Sequence, residues 1–451
     1  MVKSCFGVYD IRGIYPNEIN EEMAYMIGRI IPSMLSAKRI IVGRDIRLSG
    51  QSLQESLVEG LTEAGVEVMD IGLCGTEMVY FAVPYFGGDC GIMITASHNP
   101  KDYNGMKFVG RDSSPLSTDF LEKLKMYIEK DFFVSSQFGG VLRSVNIQSA
   151  YINKILSYLD KTILKPYKVV VNAGNGAAGP LLEDLEKYLP FKMIKLNCRP
   201  DGNFPQGVPN PLLPENQIAT AEAVKAYGAD FGVAWDGDFD RCFIYDERGR
   251  FIDSCYMVGF LAEAFLAKKN GAGIVYDPRA IYCIEDTIRR SGGKAYMSKG
   301  GHIFFKKKMR ETGAVYGGEM SAHHYFKDFH YCDSGMIPWL LMAELLSRSG
   351  KKLSALLDER IKEFPVSGEQ NLKVEKPKEV LVGIENLYRG QGIVTKVDGL
   401  SIDFGNWRFN LRCSNTESFL RLNVESRGDK DLCIRKSKEI QKEILCSNFV
   451  L

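Results

Sequence analysis

Short apolar runs alternate with amphipathic segments through about the first 360 residues of the chain. The runs 40–43, 66–71 and 91–94 predict strands, because each is apolar, short and bounded by polar residues. Between the first two runs, leucines recur every fourth residue across 51–64, which predicts a helix, and Gly65 follows where it would end. This alternation predicts an α/β architecture.

The same pattern appears in two further units. Strands are predicted at 168–171 and 230–235 in the second unit, and at 273–276 and 314–316 in the third. In each of the three units one strand runs into a polar loop, and these loops begin at Thr95, Asp236 and Gly317. Ligands of α/β sheets collect at the carboxyl ends of strands, so we expect the three loops to face one cleft.

The pattern changes after residue 365. The polar, proline-containing stretch 373–378 predicts a linker. Beyond it, apolar and polar residues alternate across 420–425, as in a half-buried strand, and Cys433, Ile440 and Ile444 fall on one face of a final helix. We therefore expect a smaller C-terminal α+β domain.

Composition excludes several functional classes. A chain of 451 residues exceeds one core and suggests about three or four domains. Its net charge of +1 gives no general attraction to nucleic acid or to an anionic membrane, and we expect Lys306–Lys307–Lys308 to form a solvated helix face. The sequence shows no targeting segment and no apolar run near the ~20 residues of a membrane span, so a cytoplasmic protein is expected. Eleven scattered cysteines without a C-x-x-C pair favour neither disulfides nor zinc.

The most acidic loop places Asp236, Asp238 and Asp240 on alternate residues. These positions match the start of an EF-hand, but Arg241 stands where that loop needs glycine, and a strand follows, so an EF-hand is rejected. Three carboxylates this close repel one another unless a cation neutralises them, although a purely structural turn remains the alternative. Oxygen ligands favour Mg²⁺.

Ser97 lies in the turn that follows the strand 91–94. An ordinary serine at a strand end is the alternative reading, and the G-x-S-x-G pattern of hydrolases is absent, because Thr95 and Asn99 occupy the glycine positions. His98 is adjacent and is expected to orient the loop. Together with a metal loop, the hydroxyl indicates a phosphoryl carrier.

Three other loops carry polar chemistry. Glycines across 174–179 resemble a dinucleotide fingerprint, but the next strand ends in Asn197 instead of an acid, so a tight strand-to-helix turn is expected. The loop 317–324 combines Glu319, Ser321, His323 and His324, a set that suits sugar hydroxyls, although a core histidine is equally plausible for His324. The turn 412–417 contains Arg412 and small side chains that can donate hydrogen bonds. This combination predicts a phosphate cradle, that is, a site that binds a phosphate group.

These motifs resemble those of the α-D-phosphohexomutases, in the phosphomannomutase/phosphoglucomutase subgroup. Five signatures, at 9–13, 95–100, 236–241, 318–323 and 412–417, occur in the family's order along nearly the whole chain. The resemblance implies three related α/β/α domains with mixed sheets and a smaller C-terminal α+β domain around a central cleft. The expected boundaries are 1–145, 146–252, 253–366 and 367–451, carrying respectively the phosphoserine, the metal, sugar recognition and phosphate binding.

The resemblance also implies roles for individual residues. Ser97 would carry a phosphoryl group and bind Mg²⁺ together with Asp236, Asp238 and Asp240. The catalytic set would comprise Ser97, Arg12, His98, Lys107, Arg241 and His323, with Lys107 and His323 as proton carriers. Glu319 and Ser321 would hold ring hydroxyls. Other substrate contacts would be Tyr9, Lys299, His302, Arg412, Ser414, Asn415, Thr416 and Arg421.

The implied reaction interconverts mannose 6-phosphate and mannose 1-phosphate through a hexose 1,6-bisphosphate, which also serves as activator, and supplies GDP-mannose synthesis. Glucose phosphates are the main alternative substrates. A metal-dependent phosphatase is disfavoured, because such an enzyme does not need a second site that binds phosphate. A non-catalytic phosphosugar-binding protein is disfavoured, because Ser97 and the three aspartates are all present. Ser418 stands where the subgroup usually carries proline. Oligomeric state stays open.

Overall fold

The computed structural model describes residues 5–7, 9–130, 139–414 and 419–446. The strands in chain order are β1 Ile11–Ile14, β2 Arg39–Arg44, β3 Glu67–Leu73, β4 Cys90–Ile94, β5 Tyr103–Gly110, β6 Val141–Ser144, β7 Lys168–Asn172, β8 Lys192–Leu196, β9 Phe231–Trp235, β10 Cys242–Asp246, β11 Gly273–Tyr276, β12 Lys294–Met297, β13 Tyr316–Gly318, β14 His324–Phe326, β15 Cys332–Asp333, β16 Gln370–Lys373, β17 Ile393–Thr395, β18 Leu400–Asp403, β19 Trp407–Cys413 and β20 Phe419–Ser426.

The α-helices are α1 Glu21–Leu35, α2 Gly50–Glu63, α3 Thr76–Phe86, α4 Phe120–Glu129, α5 Gln148–Leu156, α6 Ala178–Leu185, α7 Pro214–Tyr227, α8 Ser254–Lys268, α9 Tyr282–Arg290, α10 His302–Thr312, α11 Met336–Ser349, α12 Leu353–Glu363, α13 Pro377–Leu387 and α14 Lys430–Cys446. Short 3-10 helices occur at Arg111–Ser113, Lys161–Ile163, Glu186–Tyr188 and Lys327–Phe329. The chain divides into two compact units, residues 1–251 with 323–350, and residues 252–322 with 351–451.

The first unit contains two mixed sheets. One has the strand order β1-β5-β4-β2-β3-β6, in which β5 alone runs opposite to the other strands and pairs antiparallel with both β1 and β4. The other has the order β10-β9-β7-β8, with only β10 antiparallel. The central strands β4 and β9 are buried along their whole length, which explains why they read as continuous apolar runs. Both of them end at a loop that carries candidate chemistry.

The second unit combines a parallel set of strands with an antiparallel sheet. β11 pairs in parallel with β12 on one side and with β13 on the other. The C-terminal sheet is antiparallel throughout, in the order β16-β20-β19-β18-β17. Leu420, Leu422 and Val424 are buried on β20, as the alternation predicts, and pack in one core with Cys433, Ile440 and Ile444 of α14. The predicted fold class is confirmed.

Three local predictions need correction. The predicted linker 373–378 is shorter, spanning only 374–376, because β16 ends at Lys373 and Pro377, with its fixed φ, begins α13. The strand predicted at 314–316 lies two residues later, because Gly317 and Gly318 pair with β11, so the loop begins at Glu319. Lys306 is fully buried and not solvated, since α10 turns Phe305, Lys306 and Met309 inward.

Candidate active site

Ser97 lies three residues beyond the end of β4, in a turn with left-handed backbone at φ 50°. Its side chain is nearly inaccessible, at 3% exposure. The hydroxyl donates to Oδ2 of Asp236 at 2.9 Å and lies 3.1 Å from Nδ1 of His98. The backbone N–H of Ser97 donates to Oγ1 of Thr95, which in turn donates to buried Asp45. Ser97 is thus held in a strained turn and directed at the acidic loop.

Arg47 holds the backbone of the Ser97 turn in place through hydrogen bonds. Its guanidinium is 1% exposed and donates to four backbone carbonyls, those of Ser97, Asn99, Pro100 and Tyr103, at 2.6–3.0 Å. Asp45 lies 3.4 Å from Nε of Arg47 and compensates its charge. Because one rigid side chain collects carbonyls from across the turn, its backbone has little freedom to relax.

The acidic loop follows β9 directly. Asp236, Asp238 and Asp240 are exposed by 1% or less. Thr76 donates to Oδ2 of Asp238 at 2.5 Å, and the backbone N–H of Arg241 donates to Oδ1 of Asp236 at 3.2 Å. At Gly237 a Cβ atom would lie 2.6 Å from the carbonyl oxygen of Ser97, so only glycine permits the two loops to approach this closely.

The three carboxylates fit a cation. One oxygen from each of Asp236, Asp238 and Asp240 lies within 4.8 Å of the others. Oδ1 of Asp238 and Oδ1 of Asp240 are buried and receive no hydrogen bond from the residues that the structure describes. Buried carboxylate oxygens without donors are costly unless a positive charge meets them, and an all-oxygen set suits a hard divalent ion. The acidic loop therefore has the composition and spacing of a metal site.

Lys107, on β5, lies between two of these carboxylates. Its ammonium donates to Asp238 at 2.7 Å and to Asp240 at 2.6 Å. Burial alone would lower the pKa of Lys107, but the charges of Asp238 and Asp240 outweigh it and raise that pKa. Burial, followed by the charge of Asp238, raises the pKa of Asp240. Lys107 therefore compensates part of the negative charge of the acidic loop.

Arg241 and Arg12 bring further positive charge to Ser97. Nε of Arg241 donates to Asp236 at 2.9 Å, and its Nη2 contacts Nδ1 of His98. Arg12 donates to Oδ1 of Asn99, two residues beyond Ser97, at 2.7 Å. Burial and then the charge of Arg241 lower the pKa of His98 well below its usual value, so this imidazole is neutral and accepts at Nδ1.

His323, the residue just before β14, contacts the same cluster. Its Nδ1 lies 2.9 Å from Oδ2 of Asp333 and 3.9 Å from Oδ1 of Asp240. Asp333 is 1% exposed, so the imidazole orientation is fixed by a buried carboxylate. His324, the next residue, is fully buried, and burial lowers its pKa to about 3. It is a core histidine, the second of the two readings considered for it.

In the second unit, Glu319 follows β13 and is 3% exposed. Its Oε2 accepts from the hydroxyl of Ser321 at 2.9 Å and from the backbone N–H of Gly301 at 3.2 Å. Gly301 immediately precedes His302, the first residue of α10, and Lys299 lies two residues before it. The structure thus brings together the carboxylate and hydroxyl predicted for sugar recognition and the Lys299–His302 turn.

An arginine cluster lies in the same unit. Arg412 on β19 and Arg421 on β20 occupy paired positions of the C-terminal sheet, and both donate to Glu369 at 3.1 Å. Arg279 is 7% exposed, lies 3.7 Å from Glu369 and 4.0 Å from Glu319, and is held by Asp277. Ser414 follows β19, and its backbone N–H donates to the carbonyl of Phe419. Asn415, Thr416 and Ser418 lie outside the described residues.

The prediction for the glycine loop is confirmed, whereas the sequence did not reveal several supporting residues. The glycine loop 174–179 is a strand-to-helix turn, with Gly174 at φ 56°, and its Ala177 donates to the carbonyl of Gly237. Tyr9 lies half-buried just before β1. The sequence did not suggest the residues that hold the sites in place, which are Asp45, Arg47, Thr76, Asp277, Arg279 and Asp333, nor Glu369, which accepts from the two arginines of the C-terminal sheet. Arg47 and Arg279 each lie three residues beyond the end of a strand, the one signal that could have indicated them.

Three α/β/α domains and a smaller C-terminal domain, with a serine turn against an acidic loop, define the class of phosphohexomutases. Residues 3–135, 149–249 and 253–364 match, respectively, the α/β/α domains I, II and III of phosphoglucomutase/phosphomannomutase. The chain belongs to the phosphoglucomutase/phosphomannomutase family. It is accordingly an isomerase that acts on phosphorylated sugars.

Relatives match over nearly their full length. The chain is 50% identical to a protein of Xanthomonas campestris named phosphohexose mutases, covering 98% of this chain and 99% of that one. It is 49% identical to a phosphomannomutase of Salmonella montevideo, with 97% and 98% covered. A phosphoglucomutase/phosphomannomutase family protein from Burkholderia thailandensis superimposes with a TM-score of 0.88 at 32% identity, covering 99% of this chain and 98% of that one. In the described part of the chain, every helix is too short or too polar to cross a membrane.

Proposed function

We propose that this enzyme is a phosphomannomutase that stores a phosphoryl group on Ser97. The observation that carries the proposal is the 2.9 Å hydrogen bond from the Ser97 hydroxyl to Asp236, within a buried group of three carboxylates. A hydroxyl in this position is surrounded by Arg241, Arg12 and Lys107, whose charges suit a phosphate dianion. We infer domain boundaries at 1–145, 146–252, 253–366 and 367–451.

In the proposed reaction the phosphorus–oxygen bond to Ser97 breaks while a bond forms from phosphorus to a sugar hydroxyl. The product is a hexose 1,6-bisphosphate, and return of its other phosphoryl group to Ser97 completes the isomerisation. Asp236, Asp238, Asp240 and Ser97 would hold Mg²⁺, which offsets negative charge on the transferring group. Arg241 keeps Asp236 and His98 in place beside Ser97 and contributes positive charge of its own.

The attacking sugar hydroxyl must lose a proton, and His323 is the better of two candidate bases. With Nδ1–H donating to Asp333, Nε2 carries the lone pair that accepts the proton. Lys107 is held protonated by Asp238 and Asp240, which raise its pKa and make it a weak proton donor in this arrangement. Its charge contributes instead to binding the transferring group.

Substrate recognition is proposed for the second unit together with Tyr9. Glu319 and Ser321 would bind ring hydroxyls that both orientations of the sugar present. Lys299 and His302 would contact the substrate from the adjoining turn. The phosphate that is not reacting would be held by Arg412, Ser414 and Arg421, with Asn415 and Thr416 from the part of the loop beyond the described residues.

Mannose is the proposed sugar because curated relatives at 48–49% identity are named phosphomannomutase. Glucose phosphates are a second candidate, because a relative at 50% identity is named phosphohexose mutases. Coupled assays with mannose 1-phosphate and glucose 1-phosphate, each with a trace of the matching 1,6-bisphosphate, measure kcat/KM for both sugars. We expect the mannose value to exceed the glucose value.

The same assay tests the cation. Activity should disappear after exhaustive chelation and return with Mg²⁺. A higher kcat/KM for glucose would overturn the sugar assignment, and full activity after chelation would overturn the metal assignment. Release of inorganic phosphate without sugar isomerisation would indicate a phosphatase.

A further inference from the structure

Glu369 lies where an anionic ligand would be expected. It precedes β16, and its two carboxylate oxygens are shared between the two arginines of the C-terminal sheet, with Arg421 at 3.1 Å from Oε1 and Arg412 at 3.1 Å from Oε2. Arg279 approaches Oε2 to 3.7 Å. A carboxylate that bridges guanidinium groups in this way imitates the oxygens of a bound phosphate.

The arginines have binding capacity that Glu369 does not use. Nε of Arg412 and Nε of Arg421 are buried and find no hydrogen-bond acceptor in the described residues. Each guanidinium offers five N–H donors, whereas one carboxylate supplies two acceptor oxygens. A tetrahedral phosphate dianion brings more oxygens and a larger charge, so it satisfies this cluster better than Glu369 does.

Glu369 differs from the carboxylates that hold Arg279 and the other buried groups in place. Asp277 binds Arg279 through both Nε and Nη2 and is 1% exposed. Glu369 retains 26% side-chain exposure, so part of the side chain reaches the solvent. The arginines Arg279 and Arg412 nonetheless hold the pKa of Glu369 at about 2, against the effect of burial, so it is ionised at neutral pH. Glu369 is therefore both charged and partly exposed.

We propose that Glu369 is an internal competitor that occupies the phosphate cradle between binding events and exchanges with the non-reacting phosphate of the substrate. This inference rests on the proposed role of Arg412 and Arg421 in binding that phosphate. A bisphosphate intermediate that turns over must leave this cradle once in each catalytic cycle. Rebinding of Glu369 to the arginines compensates their charge as the phosphate departs, which speeds release.

The test is ligand affinity, measured in a Ser97→Ala background so that no phosphoryl transfer occurs. Glu369→Gln keeps the shape of the side chain and removes its charge. It should bind inorganic phosphate and glucose 1,6-bisphosphate about three- to tenfold more tightly, the range expected for loss of a partly exposed ion pair. Stopped-flow measurement should show the bisphosphate leaving more slowly by a similar factor.

Controls separate this inference from the role of the cradle itself. Arg421→Gln should weaken phosphate binding, and an unchanged affinity in that variant would overturn the cradle. Glu363→Gln removes a carboxylate of the same unit that pairs with Arg290 at 3.3 Å, and should leave affinity unchanged. If Arg421→Gln weakens binding while Glu369→Gln is neutral or weakens it too, Glu369 orients the arginines and the competitor proposal is wrong.

A second variant guards against a folding defect in Glu369→Gln. Glu369→Asp keeps the charge but shortens the side chain by one methylene, so the carboxylate cannot bridge both arginines without moving the backbone. We expect a phosphate affinity between those of the wild type and Glu369→Gln. An affinity below that of the wild type would contradict competition.

Discussion

Arg47 is the residue on which the geometry of the Ser97 turn depends most. Four carbonyls accept from its guanidinium, and lysine could reach only one or two of them from a single ammonium. We predict that Arg47→Lys lowers kcat by about tenfold or more and destabilises the fold by about 1–3 kcal/mol, since buried carbonyls lose donors. KM should change little, because the guanidinium of Arg47 is buried and its hydrogen bonds go to backbone carbonyls.

Arg39→Lys is the matched control for this variant. Arg39 begins β2, the strand that precedes Arg47, and it donates to a carbonyl, that of Phe86, but its side chain is 40% exposed. Steady-state kinetics and thermal midpoints of both variants should show the loss only for Arg47→Lys. Equal losses in kcat would mean that the Ser97 turn does not depend on Arg47.

His324 should make the first unit sensitive to acid. Burial lowers its folded pKa to about 3, whereas an unfolded histidine titrates near ~6.5. The unfolded state therefore binds more protons, and the stability present above pH ~6.5 is lost as the pH falls toward 3, by up to about 1.4 kcal/mol per pH unit. We predict that His324→Asn is less stable at pH 7 but loses less stability between pH 6.5 and 4. Denaturant midpoints across this range measure the difference, and parallel pH slopes would contradict it.

At the scale of elements, the reaction centre is formed by the loops that follow two strands. β4 leads into the Ser97 turn and β9 into the acidic loop, and the loops touch at Gly237. Gly237→Ala would place a methyl group 2.6 Å from the carbonyl of Ser97 and push the loops apart. We predict a destabilisation of about 1–3 kcal/mol together with a loss of kcat, because the serine and the carboxylates separate.

Gly139→Ala provides the comparison for Gly237→Ala. A Cβ atom at Gly139 has no neighbour within 4 Å among the described residues, so stability and kcat should be unchanged. Denaturant midpoints and steady-state rates distinguish the two variants. A harmless Gly237→Ala would show that the loops are less closely packed than the structure indicates.

The strands and motif loops were predictable because each is local in sequence. A strand of apolar residues followed by a polar loop, as at Ile94 and Trp235, indicates where candidate chemistry lies. The residues that hold the loops were not predictable, since Arg47 meets Ser97 across 50 positions of sequence and Arg421 meets Glu369 across 52. The prediction that Lys306 is solvated failed for another reason, because a local run of charged residues does not reveal which face of the helix is buried.

For the whole molecule, the proposed functions separate between the two units. The first unit contains Ser97, the carboxylates and His323, and the second contains Glu319 and the arginine cluster. Glu319→Gln should therefore raise KM for mannose and glucose phosphates alike, by about tenfold, since it would bind hydroxyls that both sugars share. The phosphate content of Ser97 should be unchanged, as measured by intact mass. A loss confined to one sugar would place Glu319 against the hydroxyl that distinguishes them.

The most direct test of the account follows the phosphoryl group itself. Enzyme labelled with radioactive phosphate is mixed with unlabelled mannose 1-phosphate for a single turnover, and the labelled products are identified. We predict that the label begins on Ser97 and passes to mannose 1,6-bisphosphate, and that Ser97→Ala takes up no label and loses activity by about 10³-fold or more while remaining folded. Label on another residue, or a Ser97→Ala variant with near wild-type turnover, would contradict the account.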